Sequence, residues 1–193
     1  GTKENYSYSK FNVAKNVYDN LLTKAFTTFL YKLEDDDIFA INLNKEYKKF
    51  KDTNYDWIIN NSIYNVLAQK YGSEDFNKWS KKDSNLISDI KSGDKEALAY
   101  YTKICAENND MIDKNCFIQF LAYNELKDWN NKINSCDFKY INDLLIGFSN
   151  ADMWANKEAF LQDMRLGCAN GGENNGPQYW NIPVLDPKKL FNT

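Results

Sequence analysis

A chain of 193 residues with 43% apolar and 16% aromatic side chains can build one domain with a substantial core and is not a disordered segment. It carries a formal charge of −3, no histidine, and Arg165 as its single arginine. This excludes Ser-His-Asp and Cys-His catalysis and imidazole zinc sites, and it argues against nucleic acid, which calls for a basic patch and bidentate arginines.

Residues 9–33 open the predicted elements. Ala14, Val17, Tyr18, Leu21, Leu22, Ala25, Phe26, Phe29 and Leu33 recur at helical spacing, with Ser9 as N-cap. The acidic run Glu34, Asp35, Asp36, Asp37 closes that helix, because carboxylates are unfavourable at a helix C-terminus. "IFAINL" (38–43) alternates weakly and reads as a short extended piece, followed by a short exposed helix over 44–52. A second stripe, Trp57, Ile58, Ile63, Val66, Leu67 and Tyr71, ends at Gly72 as the residue after the helix. A short helix then stops at Gly93, and Asp94 caps the next, which carries Ala97, Leu98, Tyr101, Ile104 and Cys105 on one face.

After a turn at residues 108–113, the segment 116–133 is apolar nearly all round at its start, which marks the central helix. Another helix is expected from Ser135 through Phe148. "SNAD" (149–152) resembles a capping box and starts a last helix through Met153, Trp154, Phe160, Leu161 and Met164. Pro177, Pro183 and Pro187 exclude a continuous helix in the remaining chain, so residues 169–193 read as a non-helical, extended tail lying across the bundle. The fold class is therefore all-α: one domain spanning 1–193, with about six to eight helices and residues 1–8 as a lead-in. No stretch approaches the roughly 20 apolar residues of a membrane span. No signal peptide is present, and the chain opens on Gly1-Thr2-Lys3 rather than methionine, which leaves room for a removed secretion signal.

Four cysteines allow two bridges. If residues 108–113 form a hairpin turn, Cys105 and Cys116 lie level and a bridge is geometrically reasonable. Cys136 and Cys168 make a less well matched second pair, and the alternative is four separate core thiols. No CxxC is present, and the 34–37 run lacks the spacing of a calcium loop, so no metal and no cofactor are expected. Binding residues are sought in Glu34, Asp35, Asp36 and Asp37, an acidic patch for a basic partner, and in Tyr179 and Trp180, an aromatic platform beside the glycine-rich "GCANGGENNGPQYW".

Missing histidine, absent cofactor motifs, pairable cysteines and abundant aromatics together favour a non-catalytic helical module. It would be secreted or periplasmic, encoded by an AT-rich genome, and would recognise a protein or other macromolecule. The runner-up is a small carboxylate-dependent enzyme such as a glycan hydrolase, with Glu125 or Glu158 as acid and Asp152 a further candidate. A third reading is a cytoplasmic immunity or structural protein with free thiols.

Overall fold

The computed structural model describes residues 11–136, 141, 147–169 and 176–190. Among these the architecture is helical, with one small two-stranded sheet. Helix α1 (Phe11–Glu34) runs to the acidic run, where Asp36 adopts φ 54° and the chain reverses. Asp37 then caps α2 (Ile38–Thr53): its carboxylate accepts the Ala40 N–H at 2.9 Å. Segment 38–43, expected to be extended, is thus the first part of a 16-residue helix. A side-chain cap at Asp37 and buried Ala40, Tyr47 and Phe50 outweigh its weak local alternation.

Helix α3 (Tyr55–Tyr71) ends where the sequence predicts, with Gly72 at φ 59° and its N–H on the Gln69 carbonyl. A 3₁₀ turn (Phe76–Lys78) leads to the short helices α4 (Lys81–Ser84) and α5 (Leu86–Lys91). Asp94 caps α6 (Lys95–Glu107) by accepting from the N–H groups of Glu96 and Ala97. Helix α7 (Asn109–Asn134) is the central element and packs on α1, α2, α3 and α6. Its buried residues Ile112, Cys116, Phe117 and Phe120 all lie in its first half; Tyr123, Leu126 and Trp129 are exposed in the second. The Phe117 ring stacks on Phe29 at 4.6 Å and meets Phe26 at 5.4 Å and Tyr47 at 5.6 Å, so one aromatic knot joins α1, α2 and α7.

Most of the helix expected over 135–148 and the Ser9 cap lie outside the described residues. Helix α8 (Asn150–Ala155) begins at a full capping box, in which Ser149 Oγ accepts the Asp152 N–H and the Asp152 carboxylate accepts the Ser149 N–H. It stops at Ala155 instead of continuing to Met164. Residues Phe160–Cys168 form strand β1, paired antiparallel with β2 (Gln178–Leu185), and a last turn α9 (Pro187–Leu190) follows. Two register irregularities interrupt the ladder, and at Gly167 a Cβ would lie 2.4 Å from the Gln178 carbonyl oxygen, so the strands close there only on glycine.

The expected disulfides are corrected. The turn at 108–113 does not exist: α6 and α7 are joined through Asn108 alone. Cys105 therefore sits three residues before the joint and Cys116 eight after it, out of level by about 7.5 Å at 1.5 Å per residue. Both are free thiols. Cys116 is fully buried beside the Ser62 hydroxyl at 3.7 Å. Cys136 is an exposed thiol on the Lys132 carbonyl at 3.3 Å, so the Cys136–Cys168 bridge is absent too. Burial pushes the Cys105 and Cys116 thiols up, opposed by Lys51 at both and by the Ser62 contact at Cys116. In an iodoacetamide time course read by mass spectrometry, Cys136 is expected to react first and Cys116 only after unfolding. Recovery of a Cys105–Cys116 bridged peptide would reverse this assignment.

Candidate functional site

A cleft of about 560 Å³ opens where the first half of α3 faces α5, α6 and α8. Tyr55, Trp57 and Leu98 line it about half exposed, with Asp56, Asn60, Asn61, Asp152 and Asn156 supplying polar groups. A second recess of about 470 Å³ shares Asn61 and Ala151 with it and extends to Phe148, Trp180 and Asn181. The two adjoin at Asn61 and Ala151 and are taken together as the groove, with Trp57 lining the first and Trp180 the second.

The sequence holds these side chains in place locally. Asn54 ends α2 and precedes α3; its Oδ1 accepts the Trp57 indole N–H at 2.9 Å while its Nδ2 donates to the Phe50 carbonyl at 2.8 Å. Asp56 sits in the first turn of α3, where the helix dipole favours a carboxylate. The Tyr101 hydroxyl donates to Asn60 Oδ1 at 3.1 Å. Burial, with added repulsion from Cys105, Tyr55 and Asp56, holds its pKa well above the usual phenol range, so it stays a donor. Lys91 donates to the Ala155 carbonyl at 2.9 Å and Asn156 Oδ1 at 3.0 Å and pairs with Glu158, closing the C-terminal end of α8. At the other end, Asn181 takes φ 54°, a backbone region rare for residues other than glycine. Its neighbour Trp180 is anchored by an indole N–H bond to Gln178 Oε1 at 3.1 Å.

Such a groove suits a neutral polyhydroxylated ligand. The C–H faces of a sugar ring pack on aromatic faces, and its hydroxyls exchange hydrogen bonds with amides and carboxylates.

Comparison with known proteins shows the family. The family model of glycoside hydrolase 77, described as 4-alpha-glucanotransferase, matches residues 2–193. The chain belongs to the 4-alpha-glucanotransferase family. A 4-alpha-glucanotransferase of Clostridium butyricum is 23% identical over 192 residues, covering 95% of this chain and 35% of the relative. One from a Synechocystis species is 23% identical over 180 residues, covering 88% of this chain and 32% of the relative. The chain thus spans about a third of the length of the curated relatives it matches.

Membership in a glucanotransferase family overturns the reading of a non-catalytic protein-binding module, and the carboxylate-dependent glycan enzyme held as runner-up fits the family better. Missing histidine misdirected the inference: chemistry at glycosidic bonds runs on carboxylates and needs no imidazole. With the bridges gone, the argument for an oxidising compartment also loses its footing. None of the described helices is long and apolar enough to cross a membrane.

Of the residues singled out from sequence, Trp180 lies in the groove and Tyr179, 90% exposed, stands beside it. Glu34, Asp35, Asp36 and Asp37 sit at the α1–α2 reversal and line neither recess. There the bond from the Ala40 N–H, with Lys32 nearby, holds the Asp37 carboxyl below its usual range, as fits a helix cap. Glu125 is exposed on the second half of α7. At Glu158 burial raises the pKa, but the bond and charge from Lys91 outweigh it and leave the carboxyl lowered, the opposite of what a general acid needs. Asp152 lines the groove with one oxygen committed to the capping box. Nothing in the sequence marks Asn60 or Asn61, and Trp57 counts there only as one member of an apolar stripe.

Proposed function

We propose that this chain works in the transfer of α-1,4-glucan segments and that its groove holds the glucan. The observation that carries the reading is the line of half-exposed aromatics, Trp57 and Tyr55 at one end and Trp180 at the other, set among Asp56, Asn60 and Asn61. The substrate class comes from the printed activity of both relatives. The carboxylates along the cleft are placed to take hydrogen bonds from sugar hydroxyls, and Asp152 and Glu158 are each tied to protein partners. The groove's own contribution is to bind and orient the glucan, which lowers the entropic part of the transfer barrier.

Calorimetric titration with maltoheptaose tests this. Saturable binding is expected, weakened about tenfold by Trp57→Ala, roughly 1.4 kcal/mol. Absence of saturable binding, or binding unchanged by Trp57→Ala, would overturn the reading.

A further inference from the structure

We infer that Asn181 is a positioning residue: its left-handed backbone makes the bulge that turns Trp180 into the groove. This rests on the groove reading above and extends it.

Successive residues of a regular strand point to opposite faces, so only alternate side chains share a cavity. In β2 three in a row, Trp180, Asn181 and Ile182, line the same recess. The pairing explains how. Leu166 faces Ile182, but the next residue of β1, Gly167, faces Tyr179. The register thus passes over Trp180 and Asn181, which bulge out of the ladder. Asn181 makes the bend with φ 54°. That left-handed region is open to glycine, tolerated by asparagine and costly for a residue branched at Cβ.

Gly167 secures the other side of the bulge. It sits where the ladder resumes, so close to Gln178 that a Cβ there would lie 2.4 Å from the Gln178 carbonyl oxygen. Gln178 in turn holds the Trp180 indole N–H on its Oε1 at 3.1 Å. Trp180 is therefore fixed twice, through the backbone of Asn181 and through Gln178, whose place depends on Gly167. Neither Gly167 nor Gln178 lines the recess. Positioning and direct contact are thus separable: the backbone conformation at 181 matters, and the carboxamide it carries is replaceable.

The test is calorimetric titration of maltoheptaose onto the unaltered chain and onto Asn181→Val, Asn181→Gly, Gly167→Ala, Trp180→Ala and the Trp180→Ala/Asn181→Val double variant. Hydrogen exchange over 160–185 verifies that the strands stay paired. Asn181→Val is expected to weaken binding about tenfold, and Asn181→Gly to restore it to within about threefold of the unaltered chain. Gly167→Ala should weaken binding although it adds no side chain to the groove. Once Trp180 is gone, Asn181→Val should have no further effect, because it acts through that ring. If Asn181→Val unpairs the strands, Asn181→Ala takes its place, with about a threefold loss expected. Equal weakening by the glycine and valine variants would assign the effect to the carboxamide and overturn the inference. An effect of Asn181→Val that persists in full without Trp180 would overturn it too. If Trp57→Ala weakens binding while Trp180→Ala and Asn181→Val do not, this inference fails and the groove reading stands. If no glucan binds the unaltered chain, both fail.

Discussion

Trp154→Ala is expected to destabilise the fold by about 3–5 kcal/mol, the usual cost of emptying a buried indole site. Trp154 is 1% exposed, and its ring meets Tyr64 of α3 at 5.9 Å and Trp79 at 6.2 Å. Its indole N–H donates to the Asp83 carbonyl at 2.9 Å, so one side chain fastens α8 to both α3 and α4. Truncation removes the packing and leaves a buried carbonyl without that donor. Trp154→Phe keeps most of the packing and should cost less, about 1–2 kcal/mol. Urea unfolding followed by far-ultraviolet circular dichroism measures both. Because α8 forms one wall of the groove, the proposed glucan binding should weaken in Trp154→Ala along with stability. An unchanged urea midpoint would mean that α8 does not depend on this anchor.

The second large effect lies at Asp83, a carboxylate 1% exposed. Its Oδ2 accepts from Lys70 Nζ at 2.8 Å and from the Tyr71 hydroxyl at 2.6 Å, and Tyr71 in turn accepts the Ser80 N–H at 3.2 Å. Burial alone raises the pKa of such a group, but the bonds from Lys70 and Tyr71, with the Tyr100 hydroxyl nearby, outweigh it, and the net shift is downward. The sign of the linkage follows. The unfolded carboxyl takes up its proton near pH 3.9, whereas the folded one resists until lower pH. Asp83 thus contributes stability that is fully present above that value and is lost as pH falls through its folded pKa. Asp83→Asn keeps the shape and removes the charge. It should cost about 1–3 kcal/mol at pH 7, as loss of hydrogen bonds to a charged group does. The gap to the unaltered chain should narrow between pH 4 and the folded pKa. Urea midpoints measured at pH 7 and pH 3 check this; an equal gap at both would show that the charge of Asp83 contributes nothing.

What the sequence disclosed and what it hid divide along the distance between interacting residues. Gly72, Asp94 and the Ser149–Asp152 box act within a few residues of themselves, and each ends or starts its helix as expected. The run 160–168 misled because Phe160, Leu161 and Met164 sit at helical spacing, while the partner that makes them a strand lies at 178–185. Strand pairing is non-local, and periodicity over nine residues does not reveal it. The cysteine pairing failed on a local point, the length of the α6–α7 joint, because "ENND" looks like a turn and yet Asn109 and Asp110 are already helical. The groove was half legible. Trp180 stood out beside glycines and prolines, whereas Trp57 was hidden in a stripe in which Ile58, Ile63 and Leu67 are fully buried. Which residue of an apolar stripe faces a cleft depends on where α5, α6 and α8 come to rest against it.

Asn54 combines two roles. The carboxamide that terminates α2 by bonding to Phe50 is the same one that steadies the Trp57 indole. One carboxamide therefore ties the elbow between α2 and α3 to the tilt of the indole. The indole's rotational freedom is given up when the chain folds, so whatever packs on it meets a surface already oriented.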